Sequence, residues 1–219
     1  TIIPPAVAIN ASEIDSAIEQ LTTKEKVLKS KLLPFRFATA YEEVSKSFVN
    51  KDGGIKFEQS SSIKDKVLKA LEVALGYSIL NIPKLAGTTA VLVDHSGSVR
   101  GDSDGSGSIS AFSKTTTAMI GNLLGSMMVY SQDNVYFGMF GDNLISVPID
   151  RNMGVLEFNK YSFDLGSKCG ASTEKGIFDF LKQANDTKSK VDNLIIFSDM
   201  VIEDGYSTSW YGSKHNFQD

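Results

Sequence analysis

The sequence predicts an α/β protein in two parts, a helical segment followed by a doubly wound α/β domain that lacks its last strands. Three observations carry that expectation. Up to about residue 80, apolar residues recur at helical spacing and no strand pattern interrupts them. Beyond residue 86, short apolar runs free of charge alternate with helical patterns, which implies a mostly parallel sheet with helices on both faces. One of those runs, Thr88–Val93, leads into the oxygen-rich segment Asp94-His95-Ser96-Gly97-Ser98, and another, Asn193–Asp199, ends in Ser198-Asp199. The expected division is residues 1–85, the end of a helical repeat module, and residues 86–219, the α/β domain.

In chain order, residues 1–9 are apolar with two prolines and run extended into a first helix. Ser12-x-x-Asp15 resembles a capping box, and Ile14, Ala17, Ile18 and Leu21 follow at helical spacing. Thr22-x-x-Glu25 opens a second short helix with Val27, Leu28 and Leu32, and Pro34 starts a third with Phe35, Phe37, Ala38, Tyr41, Val44 and Phe48. Asn50–Gly54 is a turn. Ser62-x-x-Asp65 opens a long helix with Val67, Leu68, Leu71, Ala74, Leu75 and Ile79 along one face. After the linker Asn81–Gly87 come the first strand, a polar loop over Arg100–Ser110 and a helix from Ala111 to Tyr130, with Met119, Leu123, Leu124, Met127 and Met128 inward as core filling. Asn134–Phe140 is a second strand, with Leu144–Pro148 its hairpin partner. An irregular stretch leads to Cys169-Gly170-Ala171-Ser172-Thr173, then a helix over Glu174–Ala184 with Ile177, Phe178 and Leu181 inward, then the buried strand Asn193–Asp199, ending in a carboxylate. No strand–helix pair follows Asp199, so the last strands of the sheet are expected to be missing or to come from elsewhere.

Composition narrows the function. The 219 residues carry a net charge of −4. Residues 1–85 hold twelve Lys/Arg against ten Asp/Glu, and residues 86–219 hold ten against sixteen, so neither half has the strongly basic footprint of a dedicated nucleic-acid binder. No apolar stretch reaches transmembrane length, and the start lacks both Met and a signal-peptide pattern. A single cysteine, Cys169, forms no internal disulfide, suits a reducing, cytoplasmic setting and argues against structural zinc. Lys24, Lys26, Lys29, Lys31 and Arg36 form a basic run, by default a solvated helix face.

The candidate site follows from strand ends. In doubly wound sheets ligands bind beyond the carboxyl ends of the strands, where the strand order reverses. Asp94, Ser96 and Ser98, at alternate positions, would converge there with Asp199 and with a hydroxyl of Ser172 or Thr173. Two carboxylates and three hydroxyls suit a hard divalent cation, magnesium first. The expected arrangement has Ser96, Ser98 and one of Ser172 or Thr173 binding directly, with Asp94 and Asp199 acting through waters. A partner's carboxylate or a phosphate could then complete the shell. No nucleophile–base pair is visible, so no catalytic residue is assigned. His95 points away from Asp94 by strand alternation and reads as a packed or solvated histidine. Asp102–Ile109 matches the first eight positions of an EF-hand loop, but Ser113 stands where a bidentate Glu is required, and a flexible acidic loop is the plainer reading.

Asp94-x-Ser96-x-Ser98, Gly170-Ala171-Ser172-Thr173 and Ile195–Asp199 resemble, in order, the metal-ion-dependent adhesion site (MIDAS) of von Willebrand factor A domains, which have a Rossmann-like fold. Lys29–Phe37, with its Leu-Pro-Phe-Arg-Phe, resembles a stretch of the helical TROVE module, and Ala70–Pro83 followed by Leu85–Thr88 resembles the junction of that module with its A domain. Together these segments, from about Thr22 to Met200, are similar to the Ro ribonucleoprotein autoantigen family and its bacterial and phage relatives. The resemblance implies a ring of HEAT-like helical repeats closed by an A domain. It also implies a noncatalytic RNA-binding role toward small noncoding Y-type RNAs and misfolded RNA, with the RNA-contacting residues unassigned. The alternative is a metal-dependent protein-interaction module without RNA; a membrane partner is not expected.

Overall fold

The structure, a computed structural model, describes residues 11–47, 58–101, 107–108, 115–171 and 174–199. The chain divides into two compact units, Thr1–Ile82 and Pro83–Asp219.

The first unit holds α1 (Ala11–Thr22), α2 (Lys24–Ser30), α3 (Pro34–Ser47) and α4 (Glu58–Ile79). α4 packs against the other three, and its buried Ala70, Leu71, Ala74, Leu75 and Ile79 form a core with Val27, Phe37 and Ala38. Pro34 occupies the first helical position of α3, where its missing N–H forfeits no bond. The start signals at Thr22 and Ser62 fail. Thr22 ends α1 and donates its hydroxyl to Ile18 O at 2.8 Å; Thr23 stands at the N-cap of α2 but donates back to Glu19 O at 2.6 Å. Only one residue separates the two helices, so the hydroxyls bond backwards into α1. α4 begins at Glu58, placing Ser62 inside it. Leu32 lies beyond the end of α2 and is exposed. The extended start, Phe48 and the Asn50–Gly54 turn lie outside the described residues.

The second unit is a four-stranded sheet in the order β3-β2-β1-β4, from β1 (Thr89–Asp94), β2 (Val135–Phe140), β3 (Leu144–Ser146) and β4 (Asn193–Phe197). β1 pairs in parallel with both β2 and β4, and β3 is antiparallel to β2. The helices are α5 (Gly97–Arg100), α6 (Thr117–Ser131), α7 (Val155–Gly166) and α8 (Glu174–Asp186). On one face Val91, Val93, Phe137 and Met139 pack with Val129 of α6 and Phe158 of α7. On the other, Ala90, Leu92 and Phe140 pack with Ile177 and Phe180 of α8. β1 is buried along its whole length, as the uncharged run Thr89–Val93 requires. The predicted α/β class, helices first and a mostly parallel sheet second, is the architecture observed.

Several details differ from expectation. α6 starts at Thr117, capped by Thr116, whose hydroxyl accepts from Met119 N–H at 3.3 Å. Its buried residues are Ala118, Asn122, Gly125, Ser126, Met127, Val129 and Ser131, so Met127 is inward as expected while Met119 is exposed. Close approach accounts for the glycine among them: a Cβ on Gly125 would lie 2.7 Å from Val93 Cγ2 and 2.9 Å from Phe137 Cε2, while Met128 packs against the same sheet cluster. α7 replaces the expected irregular stretch. Its buried positions are Val155, Phe158, Ser162 and Gly166, and two of the four give no apolar signal. On α8, Phe180 is buried and Leu181 exposed. β4 is covered on one side only, with Leu194 and Ile196 exposed, because it is an edge strand among the described residues. Residues 200–219, and with them the expectation about the last strands, lie outside the described residues.

Candidate metal centre

β1 lies between β2 and β4, so strand order reverses there, and the parallel β1 and β4 bring Asp94 and Asp199 to one rim. Asp94 ends β1 and is 2% exposed. Its Oδ1 accepts from Ser96 N–H at 2.9 Å, turning the chain into α5, and its Oδ2 accepts from the Ser198 hydroxyl at 2.7 Å. Ser96 stands at the N-cap of α5, yet its hydroxyl makes no cap bond and instead lies 3.3 Å from Ser98 Oγ. The two serines thus present neighbouring oxygens beside a fixed carboxylate. Burial, opposed by the hydrogen bonds from Ser96 and Ser198, raises the Asp94 pKa, and the charge of Asp199 raises it further.

A second loop closes on this one. Gly97 N–H donates to Ala171 O at 3.0 Å. Ala171 N–H in turn donates to Asp142 Oδ2 at 2.9 Å, and Asn143 N–H to Cys169 O at 2.9 Å. Cys169 is buried, and burial pushes its thiol up to about 12, so it stays protonated and unreactive. Ser172 and Thr173, next in the chain, lie outside the described residues, as do Asp102–Ser106 and 109–114 of the EF-hand-like segment. Among the described residues no group of three or more His, Cys, Asp or Glu side chains comes together as a metal site. The donor set at the rim is of another kind, hydroxyl-rich with two carboxylates whose mutual repulsion a cation would relieve, and it fits a hard divalent ion such as magnesium.

His95 is a packed histidine. It is 1% exposed and tilted against Phe163 at 5.4 Å between ring centroids. Arg100 NH1 donates to its Nδ1 at 2.7 Å, so Nε2 carries the ring proton and donates to Asn122 Oδ1 at 3.1 Å. Asn122 Nδ2 then donates to Asn159 O at 2.8 Å and Ser162 Oγ at 3.0 Å on α7. Burial, and after it the Arg100 charge, lowers the His95 pKa to about 4, although the bond to Asn122 opposes the shift. Sequence reasoning missed this network, along with Ser198 and Asp142 as partners of the two loops. Its members come from three separate segments, and only Arg100, five residues from His95, was within reach of local spacing.

In the helical unit the side chains of Lys24, Lys29, Lys31 and Arg36 are exposed, with Leu32, Leu33 and Phe35 exposed among them. Lys26 pairs with Glu19 at 2.8 Å, and Arg36 stacks over the Phe35 ring at 5.3 Å. No helix among the described residues is long and apolar enough to cross a membrane.

No protein-family model and no curated protein matches this chain. Among solved structures its fold is similar to the crystal structure of the Deinococcus radiodurans Ro (RSR) protein, with a TM-score of 0.60 and 13% identity. The match covers 87% of this chain, more than either unit alone, and 36% of that protein, so this chain spans little more than a third of its length. The helices followed by an α/β sheet therefore share the fold of a segment of that protein.

Proposed function

We propose that this chain is part of a noncatalytic, RNA-binding ribonucleoprotein subunit of the Ro type, acting in the cytoplasm on small noncoding, Y-type RNA and in RNA quality control. The observation that carries the reading is the fold likeness to a Ro protein across both units. The exposed basic residues around Lys29, Lys31 and Arg36 add a surface that suits phosphates. At the rim of the second unit, Ser96, Ser98 and one of Ser172 or Thr173 would hold Mg2+ or another divalent cation directly, with Asp94 and Asp199 holding its waters. The bound cation would present an open position to a carboxylate of a protein partner. Both His95 ring nitrogens are engaged, so His95 is not free to act as a general base beside Asp94, which supports a binding rather than a hydrolytic site.

Electrophoretic shift of small structured RNA by the full-length protein, at about 50 and 200 mM salt, tests the reading. Binding that weakens steeply with salt is expected. Absence of any shift, combined with cation-dependent capture of a protein that survives nuclease, would replace the RNA by a protein partner.

A further inference from the structure

The oxygens of Ser96 and Ser98 are held in place from outside their own loop. Gly97, between them, donates its N–H to Ala171 O at 3.0 Å, and Ala171 donates its own N–H to Asp142 Oδ2 at 2.9 Å. Asp142 follows β2, the neighbour of β1, so the relay runs from one strand end to the next through the Cys169–Ala171 loop. The loop has no slack. Asn143 N–H donates to Cys169 O at 2.9 Å, and a Cβ on Gly141 would stand 2.6 Å from Gly170 O. Gly170 has a φ of +88°, and a side chain there would strike the Asp142 carboxylate. The loop therefore adopts this path only with glycine at 170 and an acceptor at 142.

We propose that Asp142 is a positioning residue for the cation site, acting through Ala171 and Gly97 to fix the distance between the Ser96 and Ser98 hydroxyls and the Asp94 carboxylate. The proposal rests on the cation reading of the rim given above. Asp142 touches no cation itself; its carboxylate aligns a backbone amide, which aligns a carbonyl, which aligns the serine loop. Losing a partner bonded directly to a metal ligand lowers affinity about 10- to 100-fold, and Asp142, which acts further out, is expected at the lower end of that range.

The test uses the full chain with Mn2+ as probe, read by electron paramagnetic resonance, alongside hydrogen exchange of the Ala171 amide and circular dichroism. D142A is expected to keep its secondary structure, to lose protection at Ala171 and to bind Mn2+ at least tenfold more weakly. D142N keeps an acceptor for the Ala171 amide and is expected to stay protected and to bind within about threefold of the original chain. Mn2+ affinity unchanged in D142A although its Ala171 amide exchanges fast would overturn the proposal. Equal losses in D142N and D142A would overturn it as well, because the charge and not the hydrogen bond would then matter. If the unsubstituted chain binds no Mn2+, the cation reading falls and the positioning role with it. A protected Ala171 amide would then still identify the relay as an element of the fold.

Discussion

Ser198 and Asp94 stand level across the β1–β4 pairing, and the serine hydroxyl donates to Asp94 Oδ2 at 2.7 Å. With Oδ1 taken by Ser96 N–H, the carboxylate is held from two strands at once. A hydrogen bond to a buried carboxylate contributes about 1.5–3 kcal/mol. Ser198→Ala is therefore expected to destabilise the α/β unit by roughly that amount and to weaken divalent-cation binding, since Asp94 loses the contact that ties it to β4. Chemical denaturation with and without Mg2+ checks both. An unchanged midpoint in the absence of cation would show that the bond is not made in solution.

His95 gives the α/β unit a defined acid sensitivity. Its pKa is lowered from 6.5 to about 4 in the fold, with burial the main cause. Between those values the unfolded chain binds a proton that the folded chain refuses, so stability is intact above 6.5 and is lost as pH falls through the window. The loss by pH 4 is on the order of 3 kcal/mol. Asp94 works the other way, because its raised pKa makes the folded state gain stability as the carboxyl takes up a proton. The difference between the original chain and His95→Gln isolates the histidine. Denaturation midpoints that fall in parallel for both proteins across the window would contradict the assignment.

The rim position of the candidate residues was legible where it follows from local pattern. Asp94, Ser96 and Ser98 follow an uncharged strand, and a strand that reads as buried on both faces tells where the sheet's centre and its rim lie. Asp199 could be placed for the same reason, as the end of a second parallel strand. What stayed hidden depends on contacts between distant segments. The partners of His95 on α6 and α7 are uncharged side chains without a motif, and α7 buries Ser162 and Gly166 where a helical pattern calls for apolar residues. Close approach hid part of the inner face of α6, because Ala118, Gly125 and Ser126 are buried there without a strong apolar signal, beside the Met127 that the pattern did place inward. Ser172 and Thr173, and the choice between them, lie outside the described residues.

Two glycines in helices should respond in opposite directions. Gly125 faces Val93 and Phe137 so closely that an added methyl must displace one of them, and overpacking of this kind costs about 1–3 kcal/mol. Gly76 sits in α4 with nothing within 4 Å of a Cβ, so alanine there only restricts the unfolded chain and improves helix propensity, a gain of up to about 1 kcal/mol. Scanning calorimetry is expected to show Gly125→Ala lowering the transition of the α/β unit and Gly76→Ala raising that of the helical unit. A gain in Gly125→Ala would mean that α6 sits farther from β1 than the structure has it.

The basic surface of the helical unit separates an RNA-binding face from an ordinary solvated one. Lys29, Lys31 and Arg36 are exposed around the turn between α2 and α3, and Phe35 offers a ring with the Arg36 guanidinium over it. A ring and cations side by side can take a stacked base and its phosphates together. On the RNA reading, Lys29→Glu, Lys31→Glu and Arg36→Glu combined should weaken RNA binding by the full-length protein similarly for different sequences. Each lost phosphate contact should also lower the steepness of the salt dependence by about 1. Phe35→Ala should weaken binding with little change in that steepness, because stacking releases no counterions. RNA affinity and salt slope both untouched by the triple reversal would return these residues to the role of a solvated helix face.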